Sequence, residues 1–216
     1  MLKLNLQFFG GRGARSGGGR YGGGGGGHAI STTSLVSERE TQRALVDETL
    51  SVFSDFYDEY GTQVTDIQLA TMDAAGMTTM AYYDAGGNIA FNKSYFDSAT
   101  MEKAYARCVA DGFHPSNGNK TGLQAVAAHE LGHRLTVEVG NKMGKYDIDS
   151  AATAIVNEAR KSTKHRGVVQ MASKISKYAT HSNAEAIAEA VSDVYCNGKK
   201  ARVESRAIVD VIKKYK

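Results

Sequence analysis

Apolar residues at Leu45, Leu50, Phe53, Phe56 and Tyr57 recur at helical spacing and predict an amphipathic helix running to about Tyr60. Ser37-Glu38-Arg39-Glu40 has the form of a capping box for its start, and Gly61 is placed to end it. Val64 to Ala70 and Met77 to Tyr83 then read as strands. Ala85-Gly86-Gly87-Asn88 reads as a turn leading into a third strand, Ile89 to Phe91. A helix from about Ala99 to Ala110 follows. After it, Thr121 closes a polar, glycine-bearing loop and is the expected N-cap of the next helix. On that helix Leu123, Ala127, Ala128, Leu131 and Leu135 cover most of the circumference, the pattern of a helix buried in a core. Further helices are expected near 148–163, 168–177, 183–196 and 202–214. In the third of these, Ser182 or Asn183 caps and Ile187, Val191, Val194 and Tyr195 form the buried stripe. A small mixed sheet beside helices makes the fold class α+β.

Composition divides the chain in two. Its 216 residues allow one domain and a tail. Residues 1–36 are dense in glycine and carry Lys3, Arg12, Arg15 and Arg20 without an acid. The run Gly22 to Gly27 cannot bury a core, so this segment is expected to be a flexible basic tail, and 37–216 the globular domain. A net charge of +3, much of it from the tail, does not argue for a nucleic-acid protein. The tail lacks the regular Arg-Gly-Gly and aromatic repeats of an RNA-binding arm and is read as a linker or an extended capsid-type arm. Cys108 and Cys196 show no CxxC spacing, which fits two reduced, buried thiols. Leu2 to Phe9 is too short and too interrupted for a signal peptide, and no stretch is long and apolar enough to span a membrane. The expected compartment is the cytoplasm of a bacterial host.

The chemistry concentrates at His129-Glu130-Leu131-Gly132-His133. Residues four apart share a helix face, so His129 and His133 can present both imidazoles to one metal ion. Glu130 lies about 100° around the helix, beside the metal, where a general base belongs. Two imidazoles directed into an apolar core need a partner, and a metal supplies one. A zinc hydrolase with two histidines commonly takes a glutamate as third ligand and leaves the fourth position to water. The helix after Ser182 offers Glu185 and Glu189 on one face, with Ser192. Either glutamate fits.

Glu189-x-x-Ser192-Asp193 resembles the thermolysin-type pattern, in which the ligand is followed four residues later by an aspartate that supports a histidine. A second resemblance covers roughly residues 120–195. Tyr178, then Glu185 seven residues on, then Ala188-Glu189-Ala190 is similar to the active-site segment of the anthrax lethal factor-like gluzincins, which include the Pro-Pro endopeptidases. This resemblance implies a zincin fold, a zinc ion held by His129, His133 and Glu185, and a peptide or protein substrate. It implies that the Tyr178 hydroxyl points at the reacting carbonyl. Glu189 would then support a metal-bound histidine, and Asp193 remains the supporting partner only if Glu189 is the ligand. The same resemblance implies an edge strand along the cleft that pairs with extended substrate, for which the hairpin at 77–92 is the candidate.

Leu4-Asn5-Leu6-Gln7-Phe8-Phe9-Gly10-Gly11-Arg12-Gly13 resembles the N-terminal segment of tailed-phage minor head proteins. It implies a phage or prophage origin and contacts with head proteins through the tail, with association with the virion. The resulting expectation is a zinc-dependent endopeptidase. The alternative is a head-associated structural protein that retains a zincin fold with little turnover. Among the other histidines, His181 reads as a surface or substrate-contacting residue and His165 as part of a solvated basic turn. His114 lies beside Pro115 in the loop entering the active helix, where it could border the cleft, and His28 has no defined environment.

Overall fold

In the computed structural model, residues 40–64, 67–70, 72, 79–84 and 87–216 are described. The expected tail at 1–36, the start of the capping box at Ser37, and residues 77–78 and 85–86 of the hairpin lie outside them. Helix α1 spans Glu40–Tyr60 and buries Leu45, Val46, Val52, Phe53 and Phe56. Tyr57, expected on that face, is 52% exposed, one position beyond the buried arc that Phe53 and Phe56 define. Gly61 follows at φ 63°, a left-handed C-terminal position that glycine adopts without strain.

Among the described residues three short strands follow: β1 Ile67–Ala70, β2 Ala81–Tyr83 and β3 Ile89–Asn92. They form a mixed sheet in the order β1-β3-β2. β3 lies in the middle, parallel to β1 with Ile67 opposite Ile89 and antiparallel to β2 with Ala81 opposite Phe91. β3 is buried along its length, as a central strand covered on both faces must be. Among the described residues β2 forms one edge of this sheet, and it packs against the helix that carries His129 and His133. The fold is therefore α+β, as the hydrophobic pattern predicts.

Helix α2 spans Ser98–Ala110, α3 Gly122–Lys142, α4 Ile148–Lys161, α5 Val168–Ala172, α6 Asn183–Asn197 and α7 Val203–Tyr215. α3 is the central element. Thr121 caps it in a full capping box: its hydroxyl accepts from Gln124 N–H while the Gln124 side chain accepts from Thr121 N–H. All five of its expected core residues are buried, and its most extensive packing is against α6. Ser182, rather than Asn183, caps α6, its hydroxyl accepting from Glu185 N–H. On α6, Ile187 and Val191 are buried while Val194 and Tyr195 are only partly so.

Two helices are shorter than their apolar spacing suggests. α4 stops at Lys161 because the hydroxyls of Ser162 and Thr163 turn back to bond Ala159 and Arg160 carbonyls. The helix expected over 168–177 ends at Ala172. Beyond it, Lys177 and Tyr178 direct their N–H groups to the carbonyls of Gly112 and Phe113 instead of up a helix, and a 3-10 turn, Tyr178–Thr180, follows. No helix among the described residues is long and apolar enough to cross a membrane.

Candidate metal centre

His129 and His133, one turn apart on α3, are both buried, with 6% and 2% of their surfaces exposed. Glu185, in the first turn of α6, faces them from across the helix pair. Its Oε2 lies 3.2 Å from His129 Nε2 and 3.6 Å from His133 Nε2. One ligand atom from each of the three lies within 4.8 Å of the other two. A tetrahedral ion with ligand bonds of about 2.0–2.1 Å separates neighbouring ligand atoms by about 3.3–3.4 Å, so the two Glu185 contacts have the spacing of tetrahedron edges.

The hydrogen-bond inventory points the same way. Among the described residues, both ring nitrogens of His133 and both carboxylate oxygens of Glu185 are buried without a hydrogen-bond partner. Buried polar atoms are nearly always satisfied, and an orphaned His133 Nε2 facing an orphaned Glu185 Oε2 at 3.6 Å is costly unless a cation joins them. The donor set, two imidazoles and a carboxylate, is one that zinc accepts. Burial alone would raise the Glu185 carboxyl; the imidazoles of His133 and His129 outweigh it and hold the group well below the usual carboxylate range. For His129 burial works to lower the imidazole, and the carboxylates of Glu185 and Glu189 more than offset it, leaving it well above its ordinary value.

Glu189 lies one turn further along α6 and meets His129 from the other side of the ring. Its Oε1 is 2.8 Å from His129 Nδ1 and 2.9 Å from His114 Nδ1, while its Oε2 accepts from the Ser176 hydroxyl at 2.7 Å. Burial would push this carboxyl up, and His114 and His129 instead bring it to about 2. A carboxylate only accepts hydrogen bonds, so Nδ1 of His129 carries a proton, and Nε2, on the side of Glu185, is the nitrogen left to face a cation. Of the two glutamates that residue spacing leaves open, Glu185, the ligand the resemblance implies, is the one grouped with both histidines at Nε2. Asp193 is engaged elsewhere. It accepts from Asn197 Nδ2, Arg202 N–H and the Ser205 hydroxyl, and so closes the turn between α6 and α7.

Glu130 is buried at 1% exposure, with Oε2 bonded to nothing among the described residues. Burial pushes its carboxyl up to about 7, against the lowering pull of His129 and His133. Tyr178 is equally buried, its ring 5.9 Å from that of His129 and nearly parallel to it. Burial raises its phenol far above the ordinary value, and Glu185, Glu189 and Glu130 add to the effect. The structure thus gathers His129, His133, Glu130, Tyr178, Glu185 and Glu189 at one place. His181 is exposed, its ring 5.0 Å from Tyr178 and 5.9 Å from Phe113. His165 is partly buried rather than solvated, bonded to Glu204 at 2.7 Å.

Two further residues join the site: Ser176, which nothing in the sequence marks, and His114, which the sequence places only in the loop entering α3. His114 and Ser176 both bond Glu189, yet they lie 75 and 13 positions from it, at no periodic spacing. The only local hint is that His114 stands between Phe113 and Pro115 in the loop that enters α3. Comparison with protein-family models, curated proteins and solved structures returns no match.

Proposed function

We propose that the chain is a zinc-dependent endopeptidase of zincin type, with His129, His133 and Glu185 as the protein ligands. The observation that carries this reading is the buried His129-His133-Glu185 group with Glu130 beside it. Zinc bound there would lower the pKa of a coordinated water towards neutrality and polarise the substrate carbonyl.

The chain's own residues supply the rest. Glu130, with its carboxyl brought to about 7, can accept a proton from the attacking water at near-neutral pH and pass it to the leaving amide nitrogen. Tyr178 keeps its phenolic proton throughout the working pH range and can donate it in a hydrogen bond to the oxygen that gains charge. Glu189 holds the His129 ring by its Nδ1–H. β2, at the sheet edge and against α3, is the strand on which an extended peptide would pair. A scaffold that had lost turnover would have no use for a buried carboxyl at Glu130 with one oxygen left without a partner, where such a group is costly.

The test combines metal analysis with cleavage of a peptide library. The full chain is expected to bind about one zinc, and His129→Ala or His133→Ala to lose it. Glu130→Gln preserves size and zinc and removes the base, so hydrolysis should fall by at least about a hundredfold. A Glu130→Gln variant as active as the wild type on a cleaved peptide refutes the mechanism. Full zinc occupancy in either histidine variant refutes the ligand set.

A further inference from the structure

We propose that His114 is a positioning residue of the metal centre, fixing the orientation and tautomer of His129 through Glu189. The inference rests on the metallopeptidase reading above and extends it to a residue in a different loop. His114 and His129 both present Nδ1 to the same oxygen, Glu189 Oε1, at 2.9 and 2.8 Å. The second oxygen is held by Ser176 at 2.7 Å. Glu189 is therefore clamped at both oxygens, and without His114 the oxygen that serves His129 has one fewer restraint.

The His114 ring is itself immobilised. It stacks on Tyr105 with ring centroids 5.5 Å apart and planes 6° from parallel, and Phe113 and Tyr178 meet it edge-on. Tyr105 is tied in turn by its hydroxyl to the Pro115 carbonyl at 3.2 Å. A rigid aromatic wall thus sets His114, His114 sets Glu189, and Glu189 sets the ring that faces Glu185. Such outer partners of a metal-bound imidazole commonly account for ten- to hundredfold in metal affinity.

The full chain and two variants separate this role from packing. His114→Phe keeps an aromatic ring against Tyr105 and removes the donor; His114→Asn loses the ring and retains a donor near the place of Nδ1. Zinc affinity is read by competition with a chromophoric chelator, and folding by circular dichroism. Expected is a loss of roughly ten- to hundredfold for His114→Phe and recovery to within roughly threefold of wild type for His114→Asn. The visible spectrum of the cobalt(II) protein should shift in the first variant and return in the second. Wild-type affinity in a folded His114→Phe overturns the proposal, as does an equal loss in both variants, which a purely structural role would give. Should His114→Phe fail to fold, long-range proton–nitrogen spectra of the metal-free wild type decide. Protons on Nδ1 of both His114 and His129 support the proposal, and an Nδ1 without a proton on either overturns it. A wild-type chain that binds no zinc overturns the metallopeptidase reading and this inference with it; zinc binding that ignores His114 overturns this inference alone.

Discussion

Gly132 and Ala188 bring the backbones of α3 and α6 into direct contact: a Cβ at Gly132 would come within 2.6 Å of the Ala188 Cα and 3.2 Å of the Val191 Cβ. Gly132 lies between the two histidines, and Ala188 between Glu185 and Glu189. Gly132→Ala must therefore push the helices apart where the candidate ligands meet. A loss of about 1–3 kcal/mol is expected from overpacking, seen as a lower melting temperature, together with weaker zinc binding. Unchanged affinity in a folded Gly132→Ala chain would show that the helix spacing does not govern the site.

The two glutamates should separate cleanly. Glu185→Ala removes a carboxylate that faces both Nε2 atoms and should abolish zinc binding. Glu189→Ala removes a group bonded at Nδ1 and should weaken affinity by roughly ten- to a hundredfold. Isothermal titration of the two variants checks this, and the reverse ranking would make Glu189 the ligand.

Tyr178→Phe removes one hydroxyl from a ring whose packing is otherwise kept. On the proposed mechanism kcat should fall roughly ten- to a thousandfold with little change in KM, because the phenol acts once charge has developed. Unchanged kcat would remove Tyr178 from the reaction while leaving the metal site intact.

The cysteines give a prediction independent of the metal. Burial pushes the thiols of Cys108 and Cys196 up to about 12, with the neighbouring carboxylate of Glu189 adding at Cys108. An unfolded thiol ionises near about 8.5, so above that pH the unfolded chain releases protons that the native chain retains. Stability from this source is complete below about pH 8.5 and declines as pH rises towards 12. Denaturant titrations at pH 8 and pH 10 should show the decline. At pH 8, alkylation by iodoacetamide should be slow in the native protein and fast after unfolding. Rapid native alkylation at either position, read by mass spectrometry, would contradict the shift.

What the sequence made legible follows from local periodicity. The α3 core face, the Thr121 cap and the i, i+4 histidines all depend on residues within a few turns, and all are found where the spacing puts them. Spacing alone did not choose between Glu185, which the resemblance implies as ligand, and Glu189, because both share a face of α6 and only the crossing with α3 decides which oxygen meets Nε2 and which meets Nδ1. His114 was legible as a residue of the loop entering α3 but its role was not, because its partner Glu189 lies 75 positions away. The early end of α5 was hidden too: apolar spacing continues to Ile175, but the backbone beyond it is claimed by Gly112 and Phe113 from another part of the chain.

Those last hydrogen bonds have a thermodynamic consequence for Tyr178. Its own N–H is bonded to the Phe113 carbonyl at 3.1 Å, and that of Lys177 to Gly112 at 3.0 Å. Just upstream, Ser176 bonds Glu189 while its hydroxyl accepts from Ala179 N–H at 3.0 Å. A tyrosine delivered on a free segment would lose backbone and rotamer entropy each time it was brought to a substrate, about 1–2 kcal/mol for each residue ordered. On the proposed mechanism that loss is incurred once, when the chain folds, and is not repeated at each encounter. The ring waits beside His129 in a fixed place, so any hydrogen bond it gives to a developing charge is gained without a further ordering penalty.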